Sequence, residues 1–136
     1  LPHTNLDLVS YSCWDAVSKG EELRRALDYI AAQMPDRAPF GGKNVYLGEY
    51  GWPENDAPME TVQAAVRNAV NTAIGWGCPY AIYWEVYCNE PKRKPVEKNE
   101  DVRGFWLIKP DGSKAWAWQY LHGVLTGPND SPAAQN

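Results

Sequence analysis

The chain has 136 residues, a formal net charge of −4, 44% hydrophobic residues and 22% charged residues. This length fits one compact domain, and this composition is that of a globular protein, which excludes disorder as the main state. The acidic balance leaves no broad basic surface for a phosphate backbone, and no stretch approaches the ~18 apolar residues that span a bilayer. Neither nucleic acid nor a membrane is therefore an expected partner.

Segments typical of strands alternate with segments typical of helices along the chain. Apolar, β-branched and aromatic residues predict strands at 6–14, 44–50 and 80–87. Apolar residues at helical spacing predict three helices. The first begins at a capping box formed by Ser18 and Glu21 and ends at Pro35, the second covers about 58 to 76, and the third covers about 114 to 125. The third strand is apolar throughout, which predicts cover on both faces. Three βα units in series indicate a parallel sheet.

Two architectures contain parallel βα units. A doubly wound sheet that binds a nucleotide would carry a Gly-rich phosphate loop after its first strand, but Ser12-Cys13-Trp14-Asp15 stands there. A (β/α)₈ barrel takes ~250 residues and eight strands, so this chain would supply about three of the eight units. We therefore expect an α/β fold, a partial TIM barrel domain over residues 1–127, followed by a flexible tail over 128–136.

Carboxylates, amides and indoles are concentrated where the predicted strands end. In both architectures the functional residues lie at the carboxyl ends of the strands. Glu49 closes the second strand within Gly48-Glu49-Tyr50-Gly51, where glycine lets the backbone approach a ligand closely. A carboxylate placed there is a candidate nucleophile. The alternative is that Glu49 pairs with a Lys or Arg, or faces water.

The sequence resembles the clan A retaining glycoside hydrolases in the stretch Val45-Tyr46-Leu47-Gly48-Glu49-Tyr50-Gly51-Trp52. Trp84 follows this stretch one βα unit later, as in that family. Gly104-Phe105-Trp106-Leu107 and Asp111-Gly112-Ser113 are similar to this family's passage from strand eight into its last helix. The resemblance covers about residues 6–125. It implies strands six to eight of a cellulase-like barrel that hydrolyses β-linked oligo- or polysaccharides with retention.

The resemblance also implies roles for individual residues. Glu49 would add to the anomeric carbon, and Trp84 would form the floor beneath the reacting sugar. Further substrate-binding candidates at the strand ends are Trp14, Tyr11, Ser12, Trp52, Glu85, Asn89 and Glu90. Glu85 could instead bond a neighbouring side chain, and Trp14 could pack in the core. No cofactor is expected, and no metal, because His3 and His122 have no ligand-like spacing.

The proton donor of the family ends strand four inside an Asn-Glu pair, and no strand of this chain corresponds to it. Asn89-Glu90 and Asn99-Glu100 are also Asn-Glu pairs, but both follow the last predicted strand. The alternative function is therefore a carbohydrate-binding or structural half-barrel without catalysis. Three parallel strands cannot close a barrel, so we expect either a homo-oligomer or a missing N-terminal portion.

We expect a soluble chain, and the sequence does not determine its cellular compartment. The first residue is Leu1 rather than Met, which agrees with a missing upstream portion, and a secretion signal would have to lie in that portion. Three cysteines, Cys13, Cys78 and Cys88, have no metal-like spacing, and their odd number leaves at least one without a disulfide within a monomer, so the redox environment stays undecided.

Overall fold

A computed structural model describes residues 6–34 and 41–127, which fall into two compact units. Unit 1 is formed by Leu1–Trp52 and Met59–Trp84, and unit 2 by Pro53–Pro58 and Glu85–Asn136. The predicted tail at 128–136 lies outside the described residues, and the single domain over 1–127 stays a prediction. No helix in the described ranges combines the length and apolar character needed to cross a membrane.

Unit 1 contains strands and helices in strict alternation. Its elements in chain order are β1 (Val9–Ser12), α1 (Gly20–Ala32), β2 (Val45–Tyr50), α2 (Met59–Trp76) and β3 (Ala81–Tyr83). Within the described residues the strands form one three-stranded sheet in the order β1-β2-β3, and both strand pairs are parallel. The predicted series of βα units and the parallel sheet are thereby confirmed.

The core of unit 1 lies between the two helices and the central strand. Both helices contact each other and β2, whose Val45 and Leu47 are fully buried. α1 contributes Leu23 and Leu27, spaced one turn apart as predicted. Along α2 the buried positions are Val62, Ala65, Val66, Ala69, Val70, Ala73 and Trp76.

Ile74, an apolar residue near the end of α2, lies outside this core, because 63% of it is exposed. Ala73 is buried, and the next residue on a helix is rotated by about 100° from it, which carries Ile74 away from the core. Trp76 takes the inner position at the end of the helix instead. Its indole N–H donates to Oδ1 of Asp28 on α1 at 2.7 Å.

Two further predictions about unit 1 are wrong. The third strand was expected to be covered on both faces, yet Ile82 is 53% exposed, because in the described part of the chain β3 contacts mainly β2, whereas the two helices pack against β2. The capping box at Ser18 does not form. α1 begins at Gly20 after Lys19 as N-cap residue, with no side-chain cap hydrogen bond.

Unit 2 contains a small apolar cluster and the last helix, α3 (Trp116–Thr126). The cluster consists of Val102, Trp106 and Ala115, with Cys88 packed against it. A buried indole needs a partner for its N–H. Trp106 finds one in Oε2 of Glu54, whose other oxygen accepts from Nζ of Lys109 at 2.8 Å.

Ion pairs hold the 53–58 segment to the rest of unit 2. Arg103 donates from Nε to Asp56 at 2.8 Å and from Nη1 to Glu90 at 3.0 Å. Lys92 reaches the other oxygen of Asp56 at 3.1 Å. The hydrogen bond from Arg103 is the main cause that lowers the pKa of Asp56 below its usual value, and Lys92 acts in the same direction.

Candidate functional site

The carboxyl ends of the three strands lie at one edge of the sheet in unit 1. Ser12 pairs with Glu49, and Tyr50 pairs with Tyr83. Beyond the strands, the backbone N–H of Cys13 donates to the carbonyl of Glu49 at 3.1 Å, and that of Trp84 donates to the carbonyl of Tyr50 at 2.8 Å. These bonds bring the segments that follow β1 and β3 against the end of β2.

Both strand pairings are irregular close to this edge. The register shifts between Tyr11 and Ser12 on β1, and between Leu47 and Tyr50 on β2. Bulges of this kind are frequent next to active sites, because they change the direction in which a side chain points. Glu49 lies within the shifted part of β2.

Glu49 has a hydrogen-bond donor from the neighbouring strand end. The indole N–H of Trp14 donates to Oε2 of Glu49 at 2.9 Å, although the two residues are 35 positions apart in the sequence. Glu49 is half-buried, and Trp14 is 39% exposed. The carboxylate is therefore oriented by a fixed N–H and still accessible to solvent.

Tyr11 is directed at a carboxylate that the sequence analysis did not single out. Its hydroxyl donates to Oδ1 of Asp15 at 2.8 Å. Burial and then the Asp15 bond raise the pKa of Tyr11 above its ordinary value, so Tyr11 stays protonated as a donor. The signal for Asp15 was its position directly after Trp14. Ser12 is exposed and stands opposite Glu49 in the register.

Trp84 and Trp52 are both half-buried and follow β3 and β2 respectively. Trp84 is tied to the sheet edge by its backbone bond to Tyr50. The rings of Tyr50 and Tyr83, at the ends of the same two strands, meet edge to face with centroids 5.5 Å apart. The structure therefore connects Trp14 to Glu49 by side chain and Trp84 to the end of β2 by backbone.

The remaining candidates, Glu85, Asn89 and Glu90, belong to unit 2. Oε1 of Glu85 accepts the backbone N–H of Asn89 at 2.9 Å, which closes a local turn of the loop. Glu90 accepts from Arg103 at 3.0 Å. Each of the two carboxylates thus stabilises the loop in which it lies.

Residues 6–34 and 41–127 contain no group of three or more His, Cys, Asp or Glu side chains placed to hold a metal ion. The three cysteines are free thiols. Burial raises the pKa of Cys13 to about 12 and that of Cys78 to about 11, so neither is a reactive thiolate at neutral pH. The chemistry of the sheet edge is that of a carboxylate, hydroxyls and indoles.

Comparisons of the chain with protein-family models, curated proteins and solved structures found no match. The function therefore has to be inferred from the residues at the carboxyl ends of the three strands. An oriented, accessible carboxylate beside the Trp14 indole can act as a nucleophile, or it can accept hydrogen bonds from the hydroxyls of a sugar.

Proposed function

We propose that this chain is the C-terminal part of a (β/α)₈-barrel glycoside hydrolase that acts on β-linked saccharides with retention, and that Glu49 is its nucleophile. The observation that supports the proposal most is the position of Glu49 at the carboxyl end of the central parallel strand, bonded to Trp14. Catalytic groups of barrels occupy such strand ends. The three strands would be strands six to eight, in agreement with the resemblance of the sequence.

In the proposed reaction a carboxylate oxygen of Glu49 bonds to the anomeric carbon of the sugar. The bond between that carbon and the leaving oxygen breaks, and its electron pair departs with the leaving group. Water then hydrolyses the glycosyl ester, which restores Glu49 and retains the anomeric configuration. Because Oε2 accepts the Trp14 N–H, the proposal assigns the attack to Oε1.

The proton donor is the part of the mechanism that the proposal does not assign to a residue. In a retaining enzyme this acid would lie ~5–5.5 Å from the nucleophile. An alkoxide leaving group needs that proton, whereas a dinitrophenolate leaves without one because it is a weak base. A dinitrophenyl glycoside therefore tests the nucleophile alone.

The experiment measures the release of 2,4-dinitrophenolate from its β-glucoside and β-cellobioside by absorbance. Wild type should release a rapid burst of about one equivalent per Glu49, followed by slower turnover. Glu49→Gln keeps the shape of the side chain and should lose the burst. Glu60→Gln, at an exposed position in the first turn of α2 that is not a site candidate, is the matched control and should keep it. A burst that survives in Glu49→Gln would show that another group attacks.

The same experiment distinguishes the proposed hydrolase from the alternative function, a carbohydrate-binding half-barrel. A carbohydrate-binding half-barrel would bind cellobiose in calorimetry, equally well in wild type and Glu49→Gln, without any burst. The proposal also expects the open sheet to be completed by further strands, supplied by other copies of the chain or by an N-terminal portion. Light scattering on the purified chain measures this, and a stable, well-folded monomer at micromolar concentration would remove self-association from the proposal.

A further inference from the structure

Unit 2 contains a cavity that the proposed function does not use. It has a volume of about 350 Å³ and lies in the loop region that follows β3. The described lining residues are Tyr87, Cys88, Asn89, Pro91, Val96, Val102, Ile108 and Pro110. None of these side chains carries a charge at neutral pH, and most of the lining surface is apolar.

The walls of this cavity are fixed by backbone hydrogen bonds. On one side, the N–H groups of Lys92 and Arg93 donate to the carbonyl of Asp101, and that of Arg103 donates to the carbonyl of Glu90. These bonds hold Pro91 opposite Val102, which pair as an isolated antiparallel bridge.

The other wall is fixed in the same way. The N–H groups of Leu107 and Ile108 both donate to the carbonyl of Val86, at 3.0 and 2.9 Å, so Ile108 is held beside the start of the Tyr87 to Asn89 segment. Two prolines in the lining, Pro91 and Pro110, add rigid surface. A ligand would enter a preformed space and would not have to order a loop.

The chemistry of the lining selects the ligand. A cavity of this size lies at the lower end of the range for small-molecule sites, and an apolar cavity of ~150 Å³ already accepts benzene. Tyr87, 66% exposed, offers a ring face and a hydroxyl, and Asn89 offers an amide at the same opening. The lining offers a charged group no opposite charge, and its mostly apolar surface favours an uncharged ligand.

We infer that this cavity is a binding site for an uncharged ligand of one or two fused rings, with a single hydroxyl or carbonyl group directed at Asn89 and Tyr87. The site belongs to unit 2 and does not depend on Glu49 or on glycoside hydrolysis. Val102 and Cys88 form the inner end of the cavity, because Val102 belongs to the apolar cluster of unit 2 and Cys88 packs against that cluster.

The test uses 2-naphthol as the probe and the alkylation of Cys88 by N-ethylmaleimide as the readout, followed by peptide mass mapping. Because an occupied cavity shields the thiol, the alkylation rate of Cys88 should fall with saturation, about fivefold when the probe stands at four times its Kd. Free N-acetylcysteine, alkylated with and without 2-naphthol, serves as the control for the reagent. Its rate should not change.

Two variants complete the design. Val96→Trp places an indole at a lining residue that is 44% exposed, so it should fill the cavity and abolish the dependence on 2-naphthol without unfolding the chain. Val124→Trp makes the same change on α3 at a residue that is 41% exposed and does not line the cavity, and it should behave as wild type. Unsaturable or absent protection of Cys88, or protection that survives in Val96→Trp, would overturn the inference.

Discussion

The hydroxyl oxygen of Ser10 on β1 occupies the space that a side chain on Gly48 of β2 would need. A β-carbon built on Gly48 would stand 1.8 Å from Oγ of Ser10 and 3.2 Å from its Cβ. A larger residue at this position would therefore force the Ser10 hydroxyl to rotate away from β2. Since Gly48 directly precedes Glu49, the same contact fixes the backbone from which the candidate nucleophile projects.

Gly48→Ala should destabilise unit 1 by about 0.5–1.5 kcal/mol, the usual cost of a side chain forced out of its preferred rotamer, because the new methyl group meets the exposed Ser10 hydroxyl. Ser10→Ala in the same chain should recover most of this loss, because it removes the oxygen that the new methyl group meets. Urea denaturation of the two single variants and the double variant measures the coupling.

Gly75→Ala is the matched control for this pair. Gly75 lies in α2 with nothing within 4 Å of the added β-carbon, so alanine should raise stability by about 1 kcal/mol through helix propensity alone. Additive effects of Ser10→Ala and Gly48→Ala would contradict the steric explanation.

Trp14→Phe should slow the attack of Glu49 and leave the fold intact. The substitution keeps an aromatic ring but removes the N–H that donates to Oε2. We expect the dinitrophenolate burst to slow about tenfold, which equals ~1.4 kcal/mol of activation free energy. Stopped-flow absorbance measures the burst rate. Trp116→Phe on α3, whose ring stacks on Tyr120, is the control and should keep the wild-type rate. An unchanged burst in Trp14→Phe would show that this bond does not orient the nucleophile.

Local patterns predicted the elements well and their surroundings less well. Leu23 and Leu27 show the helical spacing of α1, and Val45 and Leu47 show the alternation of a strand, because each pattern records the face that a local element buries. The exposure of Ile82 depends on which elements pack on its face of the sheet, and the local sequence pattern does not determine this.

The polar contacts could be predicted only in part. The position of Glu49 at a strand end follows from the order of the elements, so this position could be predicted from the sequence. Its bond to Trp14 joins two different strand ends, and the bonds of Glu54 to Trp106 and Lys109 cross more than 50 residues. Contacts between distant segments produce no periodic pattern in the sequence, which is why Glu54 was missed. Asp15 lies only four residues from Tyr11 and was missed because a strand pattern does not predict the bonds of the loop that follows it.

Glu54→Ala should destabilise unit 2 by about 1–3 kcal/mol, because it leaves the buried indole N–H of Trp106 without its acceptor. Trp106 is only 1% exposed, so water cannot replace the lost bond. Glu54→Gln retains an acceptor oxygen and should cost less. Thermal unfolding followed by tryptophan fluorescence compares the two variants, and equal losses would show that the indole bond is not the stabilising contact.

The loop that contains Asp101 should lose protection in acid. Oδ2 of Asp101 accepts the backbone N–H groups of Glu97 and Lys98, each at 3.1 Å, and the first of these bonds is the main cause that lowers the pKa of Asp101 below 3.8. A lowered carboxyl pKa contributes stability that is complete above the unfolded value and is lost as the pH falls through the folded value. The loop should therefore open below pH 3.8.

Amide hydrogen exchange at Glu97 and Lys98, expressed as protection factors between about pH 6 and about pH 3, measures this loss. Asp111 is expected to stay mostly ionised over the same range, since its hydrogen bonds with Ser113, and then Asn99, lower its pKa to about 2. Asp101→Asn cannot titrate and should give a flat profile. The hypothesis fails if the variant shows the same acid dependence as the wild type.

The most direct test of the account is intact-mass and peptide-mass analysis after incubation with 2,4-dinitrophenyl 2-deoxy-2-fluoro-β-glucoside and the corresponding cellobioside. The fluorine slows both the formation and the hydrolysis of the glycosyl ester, whereas the activated leaving group speeds up only its formation, so the intermediate accumulates. We predict one added fluoroglycosyl group per chain, located on the peptide that carries Glu49 and absent from Glu49→Gln. An unmodified chain, or a label on any other residue, would contradict the assignment of Glu49 as the nucleophile.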